Sequence, residues 1–222
     1  MEDETTSGMK QVLTAGAYIL FIMLVLTVVG WINIPDGQRI VTHWNIKGQP
    51  DAYSSKAVGL LGLPVVTLVL TGIFVLLARI ERLSFVKTII WIAAMMPLVV
   101  LQGLTVWVTL GRKADVSAIL WGTFGLLLIV IGNYFPKLRQ NRISGIRTPW
   151  TLSSELSWNK THRIGGKLTV LYGLLILLCA FFLDSVALLY VIIAAGLPWV
   201  LFLFIYSYVI WKGDPGRSPS SI

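Results

Sequence analysis

Residues 12–32 read VLTAGAYILFIMLVLTVVGWI, an apolar run without a charged side chain. A membrane-spanning helix needs about 20 such residues, because it rises about 1.5 Å per residue across a hydrocarbon core of roughly 30 Å. The run therefore predicts a transmembrane helix, and five comparable runs follow it. Asp184, which separates the last two runs, predicts a tight turn between two helices. The six predicted spans are residues 12–32, 57–78, 88–110, 116–135, 166–183 and 185–211.

The composition of the chain places it in the same class. Of its 222 residues 56% are hydrophobic and only 13% are charged, which is too little polar surface to coat a soluble protein of this size. Helices and closed barrels satisfy their backbone groups in lipid, and the sequence shows no barrel-like alternation. The predicted fold class is therefore an all-α, polytopic membrane protein, a bundle of six transmembrane helices forming a single domain over residues 1–222.

The Lys and Arg residues predict how the spans are oriented. Thirteen of the 18 fall on one side of the six spans and five on the other. Because short basic loops stay on the cytoplasmic side, both termini and the loop at 136–167 are predicted cytoplasmic, and the loop at 34–56 extracellular. The same asymmetry explains the net charge of +8, so this charge does not indicate direct nucleic-acid binding. Membrane lipids are its expected partners.

Apart from Lys167, the second residue of the fifth predicted span, the spans contain no charged side chain, and this bears on function. Transporters and pumps often keep acidic or basic groups at membrane depth, so a proton-coupled carrier is disfavoured. The most polar side chains in the spans, such as Gln102 and Thr67, suffice for hydrogen bonds between helices. The one cysteine, Cys179, excludes an intramolecular disulfide and a cysteine-based metal cluster, and no cofactor is predicted.

The loop at 34–56, predicted extracellular, reads IPDGQRIVTHWNIKGQPDAYSSK. Its Pro and Gly residues predict defined turns, and the alternation over residues 39–44 predicts a short extended segment. His43 and Asp51 alone are too few ligands for a metal site, so no metal is predicted. The side chains of this loop are candidates for contacting a ligand at the bilayer surface. The candidate residues are His43, Trp44, Asn45, Gly48, Pro50 and Asp51.

The loop at 136–167, predicted cytoplasmic, reads PKLRQNRISGIRTPWTLSSELSWNKTHRIGGK and holds seven of the Lys and Arg residues. Thr151 or Ser153 is predicted to cap a short helix over 153–163 that lies along the inner surface, with Glu155 in its first turn. Arg147 is predicted to pair with carbonyl groups at a span end or with an acidic group of a partner. The candidate residues in and beside this loop are Asn133, Asn141, Gly145, Arg147, Thr148, Pro149, Trp150, Thr151, Trp158 and His162.

Neither loop carries a specific catalytic motif. A nucleophile needs a base within reach, and acid–base chemistry usually needs two tunable groups together. The chain offers His43 with Asp51 in one loop and His162 with Glu155 in the other, and it lacks the HExxH, GxSxG and phosphate-loop patterns. No catalytic residue is predicted, and the chain is not expected to be an enzyme.

Both loops resemble known families. The residues that resemble the H-W-N-x-x-G-x-P-D element of a bacterial membrane domain of unknown function are His43, Trp44, Asn45, Gly48, Pro50 and Asp51. The residues that resemble the signature of the SdpI family are Asn141, the run GIRTPWT at 145–151, Trp158 and Gly165. The two motifs and the order of the spans together make the resemblance extend over nearly the whole chain.

The SdpI resemblance implies a function. Members of that family are immunity proteins that protect a bacterium from a secreted, membrane-active peptide toxin, and the best-known member also signals by holding a transcriptional repressor at the membrane. The resemblance thus implies a multi-pass protein of the bacterial cell membrane with a toxin and a cytoplasmic repressor as partners. Two other functions stay open here: a small-molecule or lipid transporter or flippase, and a membrane-embedded hydrolase. The hydrolase requires one His–acid pair, His43 with Asp51 or His162 with Glu155, to converge in a cleft.

Overall fold

The computed structural model of the chain describes residues 2–80 and 85–217. Over these residues it has seven α-helices, one antiparallel pair of strands and one 3₁₀ turn. In chain order the elements are α1 (Glu2–Asn33), β1 (Ile40–Trp44), β2 (Pro50–Ser54), α2 (Lys56–Ile80), α3 (Phe85–Thr109), α4 (Val116–Tyr134), the 3₁₀ turn (Phe135–Lys137), α5 (Pro149–Ser153), α6 (Glu155–Phe182) and α7 (Ser185–Lys212).

Six of these helices, α1 to α4 with α6 and α7, are long and apolar enough to cross a membrane. The predicted class, an all-α membrane protein with six spans, is thereby confirmed by length and composition. The side of the membrane that each loop and terminus faces stays a prediction. Arg82, one of the basic residues on which that prediction depends, lies outside the described residues.

One continuous helix replaces two elements that the sequence predicted separately. The predicted surface helix over 153–163 is wrong as a separate element, because its residues form the first turns of α6, which runs without interruption from Glu155 to Phe182. The cap of α6 is Ser154, whose hydroxyl accepts a hydrogen bond from the Ser157 backbone, so the predicted caps at Thr151 and Ser153 are wrong too. Glu155 does lie in the first turn, where a carboxylate is favourable.

The contacts divide the chain into two compact units, where the sequence showed no boundary. Unit 1 comprises residues 1–123 and 184–186, and unit 2 comprises residues 124–183 and 187–222. In unit 1, α1 packs against α2 and α3, so the three helices share one apolar core. The buried residues of that core are Val12, Ile19, Met23, Trp91 and Met95.

A buried polar cluster links three helices of unit 1. Pro64 lies inside α2 and has no backbone N–H, so the carbonyl of Leu60, four residues earlier, loses its helical hydrogen bond. Two side chains donate to that carbonyl instead: Thr27 Oγ1 of α1 at 3.1 Å and Gln102 Nε2 of α3 at 3.0 Å. Gln102 Nε2 also lies 3.1 Å from Thr27 Oγ1. Hydrogen bonds of this kind help to hold helices together in lipid, where apolar burial does not favour one helix pair over another.

We expect Gln102→Leu to lower the free energy of unfolding by about 1–2 kcal/mol, because two buried hydrogen bonds are lost at similar side-chain volume. The loss should shrink in a Pro64→Ala background, where a restored backbone N–H donates to the Leu60 carbonyl. Denaturant unfolding of the purified protein, followed by tryptophan fluorescence, measures both values. Equal effects of Gln102→Leu in the two backgrounds would show that the Leu60 carbonyl is not the group that Gln102 serves.

Unit 2 is built on close contacts along α6. Gly125 and Gly132 of α4 face Gly173 and Gly166 of α6, and a Cβ placed on any of the four would lie 2.6–2.7 Å from the carbonyl oxygen of the facing glycine. On another side of α6, Ser157 Oγ donates to the carbonyl of Ser207 in α7 at 2.8 Å. Contacts with α4 and α7 thus hold α6 in place. The first turns of α6 contact residues 138–154, which we call the long polar loop.

Candidate functional site

The first polar loop folds into a β-hairpin in unit 1. Strands β1 and β2 pair antiparallel, with an irregular register between Val41 and Trp44. Asn45 closes the turn, since its side-chain Oδ1 accepts hydrogen bonds from the backbone N–H groups of Lys47 and Gln49. Gly48 has a φ of 72°, a left-handed conformation that favours glycine. Asn45 and Gly48, two of the predicted ligand-contacting residues, thus shape the hairpin.

One face of the hairpin is packed on the helices of unit 1. Trp44 is only 9% exposed and shares a buried cluster with Val41, Leu104 and Val116. The backbone N–H of Val41 donates to Thr109 Oγ1 at 3.3 Å, which fixes β1 to the end of α3. The predicted role of Trp44 as a surface contact for a ligand is therefore not supported by its placement, which is that of a core residue.

The base of the hairpin loop is held by a lysine. Lys56 Nζ donates to the carbonyl of Ile34 at 2.6 Å and to Asp36 Oδ1 at 2.8 Å. Its ammonium group also lies 5.5 Å from the centroid of the Trp31 ring. The hydrogen bond from Lys56, together with its charge, lowers the pKa of the Asp36 carboxyl. This arrangement ties the end of α1 to the start of α2.

Four other side chains of the hairpin are exposed, two of them polar and two apolar. His43 Nδ1 lies 2.6 Å from Asp51 Oδ1, with 68% and 40% of the two side chains exposed. Ile46 and Tyr53 are 48% and 47% exposed. We call these four residues, His43, Ile46, Asp51 and Tyr53, the exposed hairpin surface. The sequence did not single out Ile46 and Tyr53, because one exposed apolar side chain in a loop is an ordinary feature.

The His43–Asp51 pair brings together the two groups that the hydrolase hypothesis required. A catalytic pair of this kind works in surroundings that exclude water, whereas both of these side chains are open to solvent. Within the described residues, no three His, Cys, Asp or Glu side chains are grouped closely enough to hold a metal ion. The pair is therefore better suited to contacting a polar partner than to acid–base catalysis.

The long polar loop is packed on the first turns of α6, where Gly145 of the loop contacts Trp158 and His162 of the helix. Gly145 has a φ of 116°, and a Cβ placed on it would lie 2.4 Å from His162 Nε2. Trp158 is fully buried, and its Nε1 donates to the carbonyl of Leu138 at 2.7 Å. Its ring stacks on that of His162 with centroids 4.0 Å apart. The loop therefore lies directly on the first turns of α6.

The hydrogen bonds of His162 define its protonation. The backbone N–H of Ile146 donates to Nε2 at 2.9 Å, so Nε2 carries no proton of its own, and Nδ1 carries the proton that it donates to the Trp158 carbonyl at 2.9 Å. His162 is thus a neutral imidazole with both nitrogens bonded to the backbone. Because both nitrogens are occupied, His162 cannot act as a catalytic base paired with Glu155. The second His–acid pair that the hydrolase hypothesis required is therefore not formed.

Two threonines and a tryptophan fix the next part of the loop to α7. Thr148 and Thr151 form a capping box that begins α5, with Pro149 in its first turn. Thr148 Oγ1 also donates to Ser207 Oγ at 3.0 Å. The ring of Trp150 meets that of Phe204 edge-on, with centroids 4.6 Å apart. The GIRTPWT run is thus a docking segment between the start of α6 and the end of α7.

The remaining candidates of the loop have different surroundings. Asn141 organises its own turn, because its Oδ1 accepts from the backbone N–H groups of Ile143 and Ser144. Arg147 is exposed and donates to the carbonyl of Ile143 at 3.0 Å, so the carbonyl it pairs with belongs to its own loop and not, as predicted, to a span end. Asn133, near the end of α4, is exposed.

Sequence reasoning missed a contact between the start of α6 and the chain after α7. Ser154 Oγ donates to Asp214 Oδ2, and this hydrogen bond is the main cause that lowers the pKa of the Asp214 carboxyl. Arg217 follows with its guanidinium 4.5 Å from the centroid of the Trp211 ring. A polar tail with one acid gave no signal for such a contact, because the pairing depends on α6 beginning at Glu155.

The comparisons with known proteins match both loops. The SdpI/YfhL protein family matches residues 137–207, and Domain of unknown function (DUF1648) matches residues 18–68. The immunity protein SdpI of Bacillus subtilis (strain 168) is 29% identical to this chain over 167 residues, which are 74% of this chain and 80% of that relative. No solved structure matches the chain significantly. The first match includes the docking segment and the second includes the hairpin.

Proposed function

Because the chain belongs to the SdpI family, we propose that it is an immunity protein of the bacterial cell membrane, which protects its host from a secreted, membrane-active peptide toxin. The observation that carries the proposal is the 29% identity to an immunity protein over 74% of the chain. The function is binding rather than catalysis. Its support in the structure is an exposed loop that is rigidly held, and a second loop that is packed against two spanning helices.

The toxin contact is assigned to the exposed hairpin surface and the lipid-facing helix beside it. A membrane-active peptide presents apolar side chains, which Ile46 and Tyr53 can cover. Val58, at the start of α2 and five residues after Tyr53, is 63% exposed and adds to the apolar surface. His43 and Asp51 add a paired polar group that can bond to a peptide backbone or a charged side chain. Because Trp44 anchors the hairpin from beneath, the surface is ordered before a partner arrives, which lowers the entropic cost of binding.

The second part of the proposal concerns signalling. In it, a cytoplasmic transcriptional repressor is held by the long polar loop when the toxin is bound. Arg139, Arg142 and Arg147 of this loop are exposed, and arginine is well suited to pairing with carboxylates of a partner. The loop is not a free tether, since Trp158 and the docking segment fix it to α6 and α7. A change in those helices would therefore alter what the loop presents.

Survival of toxin-sensitive bacteria that express the chain tests the proposal. We expect the natural chain to protect the cells. In the double variant Ile46→Ser with Tyr53→Ser, the toxin concentration that the cells survive should fall about tenfold, because two exposed interface side chains are truncated. The matched control is Arg112→Ser with Lys113→Ser, two exposed residues after α3 in the same unit, which should keep full protection. Unchanged killing of cells that carry the natural chain, with every related toxin, would overturn the immunity function. Full protection by the Ile46 and Tyr53 variant would overturn only the binding surface.

A further inference from the structure

Three basic side chains form a stripe on the first half of α6. Lys160, Arg163 and Lys167 are spaced by three and four residues, which puts them on one face of the helix over about 10 Å. All three are exposed. Within the described part of the chain, none of them forms a salt bridge with a carboxylate. Glu155, the acid of α6, lies five residues before Lys160 and eight before Arg163, so neither pair has the three- or four-residue spacing that brings helical side chains together.

The stripe lies beside an apolar stretch of α7. Ser157 of α6 is bonded to Ser207 of α7, and the two helices run in opposite directions, so the residues after Ser157 lie alongside those before Ser207. Exposed apolar side chains of that stretch of α7 include Phe202 and Ile205, which are three residues apart and so lie on one face of the helix. A cation next to such a surface is costly in lipid unless its long side chain reaches the headgroups or it meets an anion.

A groove continues from the stripe along the same pair of helices. It has a volume of about 410 Å³ and lies between α6 and α7 of unit 2. Leu168 follows Lys167 directly, and Leu171 and Leu175 follow Lys167 by four and eight residues, about one and two turns toward the far end of α6. The other lining residues are Tyr172, Ala195, Pro198, Trp199 and Phe202. The groove is thus apolar and open to lipid, and it begins where the cations end.

We propose that this stripe and groove bind one anionic phospholipid, with its phosphate-bearing headgroup on Lys160, Arg163 and Lys167 and one acyl chain in the groove. The combination of three exposed cations with an adjoining apolar groove fits a molecule that is anionic at one end and an alkyl chain at the other. Basic pockets between spanning helices bind such headgroups in other membrane proteins. A free phosphate would use the cations alone, and a zwitterionic lipid would place its own ammonium group among them.

Binding of lipid to the purified full-length chain in detergent micelles, counted by native mass spectrometry, tests the proposal. The probes are dioleoylphosphatidylglycerol, dioleoylphosphatidylcholine and glycerol phosphate. We expect the natural chain to retain phosphatidylglycerol in preference to the other two. Lys160→Gln, Arg163→Gln and Lys167→Gln together should weaken its binding by about fivefold for each cation, on the order of 100-fold in total. The matched control removes three exposed lysines elsewhere, Lys10→Gln, Lys47→Gln and Lys113→Gln, and should change binding less than twofold.

A second variant separates the groove from the charges. Ala195→Phe fills the groove and should weaken the binding of dioleoylphosphatidylglycerol more than tenfold. The binding of the short-chain dihexanoyl form should stay unchanged. Equal retention of phosphatidylcholine, competition by glycerol phosphate at equal concentration, or an equal loss in the control triple would overturn the proposal. If the triple variant does not fold, Lys160→Gln with Arg163→Gln gives the same comparison, and a loss below twofold would again overturn it. None of these outcomes depends on toxin protection.

Discussion

Gly145→Ala is expected to destabilise unit 2 by about 3–5 kcal/mol. Two costs add up: a φ of 116° is strained for any residue with a Cβ, and that Cβ would lie 2.4 Å from His162 Nε2 and 3.1 Å from the ring of Trp158. Because His162 accepts the Ile146 N–H, moving it also breaks that hydrogen bond. Thermal unfolding in detergent, followed by tryptophan fluorescence, measures the change.

The matched control for Gly145 is Gly37→Ala in the first loop. Gly37 has a φ of 85°, but a Cβ placed on it would meet nothing within 4 Å. It therefore reports the backbone strain alone, about 1 kcal/mol. If both substitutions had the same effect, the packing of Gly145 against His162 and Trp158 would not contribute to stability. Gly145→Ala should also reduce toxin protection more than Gly37→Ala, because the docking segment begins at Gly145.

The six spanning helices could be predicted because their length is set by the lipid. An apolar run either reaches across the hydrocarbon or does not, and no tertiary contact is needed to decide it. The hairpin was partly predictable for a similar reason, since Gly48 and the alternation before Trp44 are local signals of a turn and a strand. What the sequence could not give is the division into two units, because that depends on contacts between residues distant in the chain.

The start of α6 shows why the long polar loop was harder. Polar residues around Ser157 and His162 do not look like part of a spanning helix, and their composition favoured a separate surface helix. The helix continues through them because Trp158 and His162 are buried under the loop, bonded to Leu138 and Ile146. Residue type alone does not show that a Trp or His is buried by a segment twenty residues away.

The same limit applied to the candidate site. Trp44 was predicted to contact a ligand, and His162 and Thr151 were singled out as residues of the cytoplasmic-loop motif, but the structure places all three in packed, buried positions. Their signatures mark how the loops are docked on the helices. Ile46 and Tyr53, which the structure exposes, carry no motif, because an apolar side chain gains meaning as a contact only when its neighbours are known.

Gly132→Ala is expected to destabilise unit 2 by about 2–4 kcal/mol, although alanine favours helices more than glycine does. The added Cβ would lie 2.7 Å from the carbonyl oxygen of Gly166 and 2.8 Å from the backbone nitrogen of Val170. Both atoms are backbone, so neither can rotate away, and α4 and α6 must separate. In lipid, small residues that let two backbones approach closely are a main source of helix association. Separating α4 and α6 therefore weakens every contact between these two helices. Thermal unfolding in detergent measures the loss.

The control for Gly132 should change stability in the opposite direction. Gly72 lies inside α2, is exposed, and a Cβ added to it would meet nothing within 4 Å, so Gly72→Ala gains helix propensity without a clash and should be neutral or stabilising by up to about 1 kcal/mol. Because both substitutions add one methyl group to a helical glycine, the sign of the effect depends only on what faces it. A stabilising Gly132→Ala would mean that α4 and α6 are not held by the direct contact of their backbones. The position of α6, and with it the docking of the long loop, would then need another support.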